Sequence, residues 1–167
     1  MAMQMQVDGL TEIAEMLTGM EERAGAVAAG ALYEGAGLMA EEINKGAAEI
    51  MTAPFEYAPP GKARLPSPEE KQIIQTAAAG IAKFNRNGTE VDTSVGFRNA
   101  GYAVMAGKTV PIPKIVNAVN SGTSFMKKQP FVRRSASKAT PKALETMRKY
   151  IEREFEAIGK EYTSSQK

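Results

Sequence analysis

The sequence predicts an α+β domain with long helices towards both ends and a β-hairpin between them. Two observations carry this expectation. Apolar residues recur at spacings of three and four in the N-terminal and C-terminal thirds, as amphipathic helices require. Between those regions, Asn87-Gly88 separates two short runs, and the second alternates apolar with polar residues.

The first helical signal is Val7, Leu10, Ile13, Leu17 and Met20, with Asp8 placed to cap it. A second stretch runs over 21–50. Leu32, Met39, Ile43 and Ile50 mark its stripe, with Ala28, Ala36 and Ala47 beside it. Gly25, Gly30, Gly35, Gly37 and Gly46 interrupt this stretch. Each glycine costs a helix roughly 1 kcal/mol against alanine. Two readings follow: a helix kept thin so that another helix or subunit can approach closely, or a break into two pieces.

Residues 52–68 hold five of the nine prolines, including Pro59-Pro60-Gly61. This predicts an extended loop or arm. Loops of this length are uncommon in compact domains and are usually functional or disordered. Ser67-Pro68-Glu69-Glu70 then opens a helix. Ser67 caps it, Pro68 suits its first position, and Glu70 completes a capping box. Ile73, Ile74, Ala77, Ala78 and Ile81 supply its buried face.

The hairpin follows. One strand covers 81–86, Asn87-Gly88 makes the turn, and Val91, Thr93, Val95 and Phe97 line the inner face of the return strand. Asn87-Gly88-Thr89 also fits a glycosylation acceptor, but without a secretory signal it reads as turn chemistry. A third strand is expected over 101–106. Pro111-Ile112-Pro113 precedes a short helix over 114–120, ended by Gly122 in a left-handed conformation. Thr140-Pro141 opens or kinks the last helix. Leu144, Met147, Ile151, Phe155, Ile158 and Tyr162 form its apolar stripe, and Glu145 and Lys149 pair across one turn. The polar tail, 163–167, can fray.

Composition removes many chemistries. The 167 residues are 43% hydrophobic, so a core can form, but only 7% are aromatic and none is Trp. Ala, Ile, Leu, Val and ten Met must build it, and such packing is thin and adaptable. With no Cys and no His, a disulfide, a thiol nucleophile, a Cys/His zinc site and a Ser-His-Asp triad are excluded. A net charge of +2 does not argue for nucleic acid by itself. No signal peptide or membrane-spanning run is legible, so the chain reads as soluble, made in the cytoplasm, with no membrane partner.

Three features imitate active sites. Ser124-Phe125-Met126-Lys127 and Ser135-Ala136-Ser137-Lys138 fit Ser-x-x-Lys, but the companion motifs of acyl-transfer enzymes are missing. Glu21-Glu22 and Glu41-Glu42 are adjacent carboxylates, which diverge on a helix. No glycine-rich segment has nucleotide-binding spacing. The expectation is a protein that is not an enzyme and holds no cofactor or metal. Lys127, Lys128, Arg133, Arg134, Lys138 and Lys142 form a basic cluster. It reads first as a solvated face or a contact to an acidic partner. The alternative is a small nucleic-acid-binding protein whose cluster offsets phosphate charge. Phe125 and Phe131 within it are expected to be packing anchors.

The most distinctive stretch runs Asn120-Ser121-Gly122-Thr123-Ser124-Phe125-Met126, then Gln129-Pro130-Phe131-Val132-Arg133-Arg134-Ser135. It resembles the signature of a family of tail-completion, or head–tail joining, proteins of lambda-like long-tailed bacteriophages. Gly122-Thr123 and Pro130-Phe131 match that signature as structural turn and anchor, with Arg133 in the basic place. Asn120 and Ser121 stand where the family carries an acidic and an aromatic residue. Val7-Asp8-Gly9-Leu10, Val95-Gly96-Phe97 and Gly101-Tyr102-Ala103 resemble further family segments in the same order. The 52–68 segment looks longer than the family's usual connection.

The resemblance implies a single tail-completion-like domain over 1–167, with a small antiparallel sheet flanked by the long helices. It implies a non-catalytic virion protein at the head–tail junction, forming a six-fold ring. The implied partners are further copies of the chain, neck or connector proteins, and tail-tube or tail-terminator proteins. DNA passing through the channel is a possible contact of Lys127, Lys128, Arg133, Arg134 and Lys138.

Overall fold

A computed structural model describes residues 10–87 and 90–164. The class is α+β, with long N- and C-terminal helices and antiparallel strands between them. Helix α1 spans Leu10–Ala48, α2 Pro68–Ala77, α3 Ile112–Ser121 and α4 Phe131–Ser164. Strands β1 (Gly80–Asn87) and β2 (Glu90–Gly96) pair antiparallel, as do β3 (Tyr102–Met105) and β4 (Lys108–Pro111).

α1 is one helix of 39 residues, so its glycines do not break it. Three of them face α4 instead. A Cβ on Gly30 would collide with the Tyr150 ring, one on Gly35 with Met147, and one on Gly46 with the Ser135 hydroxyl. These pairs run in opposite order along the two helices, so α1 and α4 form a close antiparallel pair. Ala31, Ala36, Ala40 and Ala47 on α1, with Ala139 and Ala143 on α4, are buried along it. Arg23 reaches Glu161 across its far end at 2.8 Å. The cap at Asp8 and the side chains of Leu10, Ile13, Leu17 and Met20 lie outside the described residues.

The core gathers at the other end of this pair. Ile43 of α1 and Ile50, just beyond its end, meet Ile74, Phe97, Ile115, Val116, Val119, Met126 and Phe131. The capping box of α2 forms as predicted: Ser67 Oγ accepts from the Glu70 amide at 3.1 Å, and Glu70 accepts from the Ser67 amide at 2.7 Å. Val91, Thr93 and Val95 are half-buried and Phe97 is buried, while Asp92 and Ser94 point outwards. That is the alternation expected of β2, which packs on α1. Asn87 pairs with Glu90, and the predicted turn at Gly88 lies outside the described residues.

Three expectations need correction. The third strand forms at Tyr102–Met105, but it does not extend the first ribbon. It pairs with β4 through a tight turn in which Ala106 and Gly107 both have positive φ. The short helix starts two residues earlier than expected, at Ile112, with Pro113 inside its first turn, where a missing N–H costs nothing. The last helix starts at Phe131, so Thr140-Pro141 does not open it; Pro141 lies within it, which leaves the second reading of that dipeptide, a kink. Proline there removes one donor, and the Thr140 hydroxyl donates to the Ala136 carbonyl at 2.7 Å in the same turn.

Candidate functional site

The residues singled out by sequence come together where α3 hands over to α4. Gly122 ends α3 with φ 77° and ψ 166°. The positive φ is as expected, but ψ is extended rather than left-handed helical. A Cβ there would also press on the Lys128 backbone, 3.2 Å from its N and Cα. Thr123 closes the next turn: its amide donates to the Met126 carbonyl, and its hydroxyl accepts from the Met126 amide, each at 3.0 Å. The Pro130 carbonyl accepts the Arg134 amide at 3.0 Å, the first regular bond of α4. Phe131, 3% exposed, meets Phe97 edge to face with ring centres 6.1 Å apart. It is part of the hydrophobic core. Phe125 is not an anchor, since its ring is largely exposed.

Two residues without a predicted role complete the junction. Asn120 Oδ1 accepts from the Val132 amide at 3.1 Å, so α3 supplies a cap for α4. Gln129 is buried, and its side-chain amide makes both bonds to Met51: the Met51 amide donates to Oε1 at 2.9 Å, and Nε2 donates to the Met51 carbonyl at 2.8 Å. Asn44 grips Ala79 in the same two-bond manner, at 2.6 and 3.1 Å. Nothing in local spacing signals either grip, because each joins residues far apart in the chain.

The 52–68 segment is an irregular loop, as expected, but its base is tied down. The Ala53 amide donates to the Pro66 carbonyl at 3.0 Å. Arg64 exchanges backbone bonds with Phe125 and Lys127, each at 2.8 Å, and its guanidinium sits 4.7 Å from the Phe55 ring centre. The tip projects, with Tyr57 92% exposed.

Lys127, Lys128, Arg133, Arg134, Lys138 and Lys142 are all exposed around the start of α4. Arg133 and Arg134 occupy its first turns, where the helix dipole is itself positive. The local potential is therefore strongly positive, but it is not uniform. Lys138 Nζ bonds Glu42 at 2.6 Å. Glu42, Glu49, Met51, Arg134 and Lys138 share a cleft of about 340 Å³ between α1 and α4.

This pairing also bears on the Ser-x-x-Lys spacing at Ser135. A general base must shed its proton, whereas the hydrogen bond to Glu42 holds the Lys138 ammonium above its ordinary pKa. Glu42 is correspondingly held below the usual carboxylate range, first by that bond. Its neighbour Glu41 points to solvent, so the two carboxylates do not converge. Among the described residues, no group of three or more His, Cys, Asp or Glu could hold a metal ion. No helix among them is long and apolar enough to cross a membrane.

The predicted stripe of α4 is only partly covered. Met147 and Ile158 are half-buried. Leu144, Ile151 and Phe155 are exposed, at 57%, 36% and 43%. The side chain of Tyr162 lies outside the described residues. Periodicity identified residues that share a face, but α1 approaches from one side of that face and leaves its outer edge open.

Compared with family models, with curated proteins and with solved structures, the chain finds no match.

Proposed function

We propose that this chain is a structural virion protein of a long-tailed bacteriophage, a ring subunit that joins the neck to the tail tube at the head–tail junction. The observation that carries this reading is the open apolar edge of α4, at Leu144, Ile151 and Phe155. An apolar row of this kind on a long helix suits a protein partner. The projecting loop tip at Tyr57 offers a second contact element. The ordered resemblance ending in Gly122-Thr123 and Pro130-Phe131 supplies the identity of the assembly and its six-fold stoichiometry.

The reading assigns the chain no catalysis and no cofactor. Its partners are further copies of itself, neck or connector proteins, and tail-tube or terminator proteins. It is made in the bacterial cytoplasm and ends in the virion. Light scattering on the purified chain and protein analysis of purified particles test it. The expected result is a concentration-dependent oligomer and recovery of the chain in particles. A strict monomer that is absent from particles contradicts it.

The second reading is a small nucleic-acid-binding protein. The exposed Lys127, Lys128, Arg133 and Arg134 favour it. It expects DNA retention that falls steeply with salt and is lost when Arg133 and Arg134 are both changed to Ala. Glu42 and Glu49 inside the same cleft weigh against a phosphate-binding face.

A further inference from the structure

We infer that the groove between the end of β2 and α3 receives the tip of the 52–68 loop of a second copy of this chain, with Tyr57 as the inserted ring. The inference rests on the ring reading above and names the two surfaces that would build the contact.

The groove has a volume of about 420 Å³ and is walled by the end of β2, by one side of α3 and by the start of α4. Val95, Phe97, Val116 and Val132 make it apolar, and Arg98 is its one charged side chain. Arg98 is exposed and has no ion-pair partner among the described residues. The chain around it carries one sign of charge. No carboxylate occurs between Asp92 and Glu145, a stretch that holds nine Lys and Arg. The 92 residues before it hold fourteen Asp and Glu against seven Lys and Arg. The groove is therefore complementary to an occupant that is both apolar and acidic.

The loop tip has that character. From Gly46 to Gly61 the only charges are Glu49 and Glu56. Glu56 stands between Phe55 and Tyr57, is exposed, and has no ion-pair partner among the described residues. The two rings meet edge to face with centres 6.0 Å apart, and the Arg64 guanidinium packs on Phe55. Tyr57 is thus presented on an ordered base, which lowers the entropy lost on docking. Tyrosine is among the residues enriched at the centres of protein contacts. Asn117, exposed at the groove, offers a donor and an acceptor to its hydroxyl.

A chain does not fill its own groove. Met51, beside the start of the loop, shares the α1–α4 cleft with Phe131, whereas Phe97 lines the groove. Those two rings meet edge to face, so the core stands between the loop base and the groove. Two different, complementary surfaces on one chain form a heterologous contact, which closes into a ring or runs on as a filament.

Charge exchange and cross-linking test this. Glu56→Arg, Arg98→Glu and Tyr57→Ala all change exposed side chains, and circular dichroism checks that each variant folds. Sedimentation velocity should show the wild type assembling and each variant associating at least about tenfold more weakly. Mixing Glu56→Arg with Arg98→Glu should restore assembly, because each altered loop then meets a groove of opposite sign. The chain has no Cys, so a mixture of Tyr57→Cys and Asn117→Cys copies treated with a short bismaleimide should give a cross-link between the two. If the wild type assembles while folded variants match it, or no such cross-link forms, this contact is wrong and the ring reading stands. Loss of DNA retention in Arg98→Glu with assembly unchanged would give the groove to nucleic acid and also overturn it. If the wild type is a monomer at every concentration and absent from particles, both readings fall together.

Discussion

Arg64 and Glu70 form a two-pronged ion pair: Nη1 and Nη2 of Arg64 each lie 2.7 Å from a carboxylate oxygen of Glu70. The pair ties the return of the 52–68 loop to the first turn of α2. Its side chains are only 16% and 7% exposed, so solvent screens it weakly. Removing one partner strands a buried charge. Arg64→Ala should therefore cost about 3 kcal/mol in chemical denaturation. A loss below about 1 kcal/mol would mean that the loop base is held by its backbone bonds alone.

The same pair predicts acid sensitivity. Burial alone would push the Glu70 carboxyl up, but the Arg64 guanidinium and the Ser67 amide outweigh it and hold the group below the usual carboxylate range. A carboxyl depressed in the folded state contributes stability in full above its unfolded pKa, near ~4.3, and loses it as pH falls through the folded value. The stability gap between wild type and Glu70→Gln should be wide at neutral pH and close below about pH 4. A gap independent of pH would show that Glu70 acts only as a cap.

Gln129 gives a prediction of opposite sign. Its amide both accepts from and donates to Met51. In Gln129→Glu, an ionised carboxylate could accept but not donate, which would leave two acceptors facing each other. The variant should lose about 2 kcal/mol at neutral pH and recover part of it on acidification, when the carboxyl regains a donor. Its folded pKa is raised, so the recovered stability is present below the unfolded pKa and lost as pH rises. A flat difference across pH would place this side chain in water.

Two turns test backbone conformation. Gly122 combines positive φ with the Lys128 backbone at close range. Gly122→Val should therefore cost about 2–4 kcal/mol by thermal melting. Ala106 is the reverse case, a side chain held at φ 48° in the β3–β4 turn. Asparagine tolerates that region better, so Ala106→Asn should stabilise by about 0.5–1 kcal/mol. A destabilised variant would mean that the turn is not built on positive φ.

What was legible in the sequence was local. The Ser67–Glu70 capping box lies within one helical turn, the β2 alternation within one strand, and the positive φ of Gly122 within one residue. The start of α4 was hidden because Thr140-Pro141 resembles a helix opening, although Ser135, Ala139 and Ala143 continue its buried row on both sides of the proline. β4 was missed because Ala106-Gly107 lacks the asparagine that usually marks such turns. The grip of Gln129 on Met51 spans 78 positions and leaves no periodic trace. Phe125 and Leu144 were expected to be buried because spacing reports which side chains share a face, not what covers that face.

On the proposed reading, this chain is a ring subunit at the head–tail junction. Imaging of purified phage particles carrying a tagged copy of the chain tests it most directly. The expected result is label in a symmetric ring where the neck meets the tail tube, with unjoined heads and tails accumulating when the chain is deleted. Label elsewhere or absent, with intact tailed particles still forming after deletion, would contradict it.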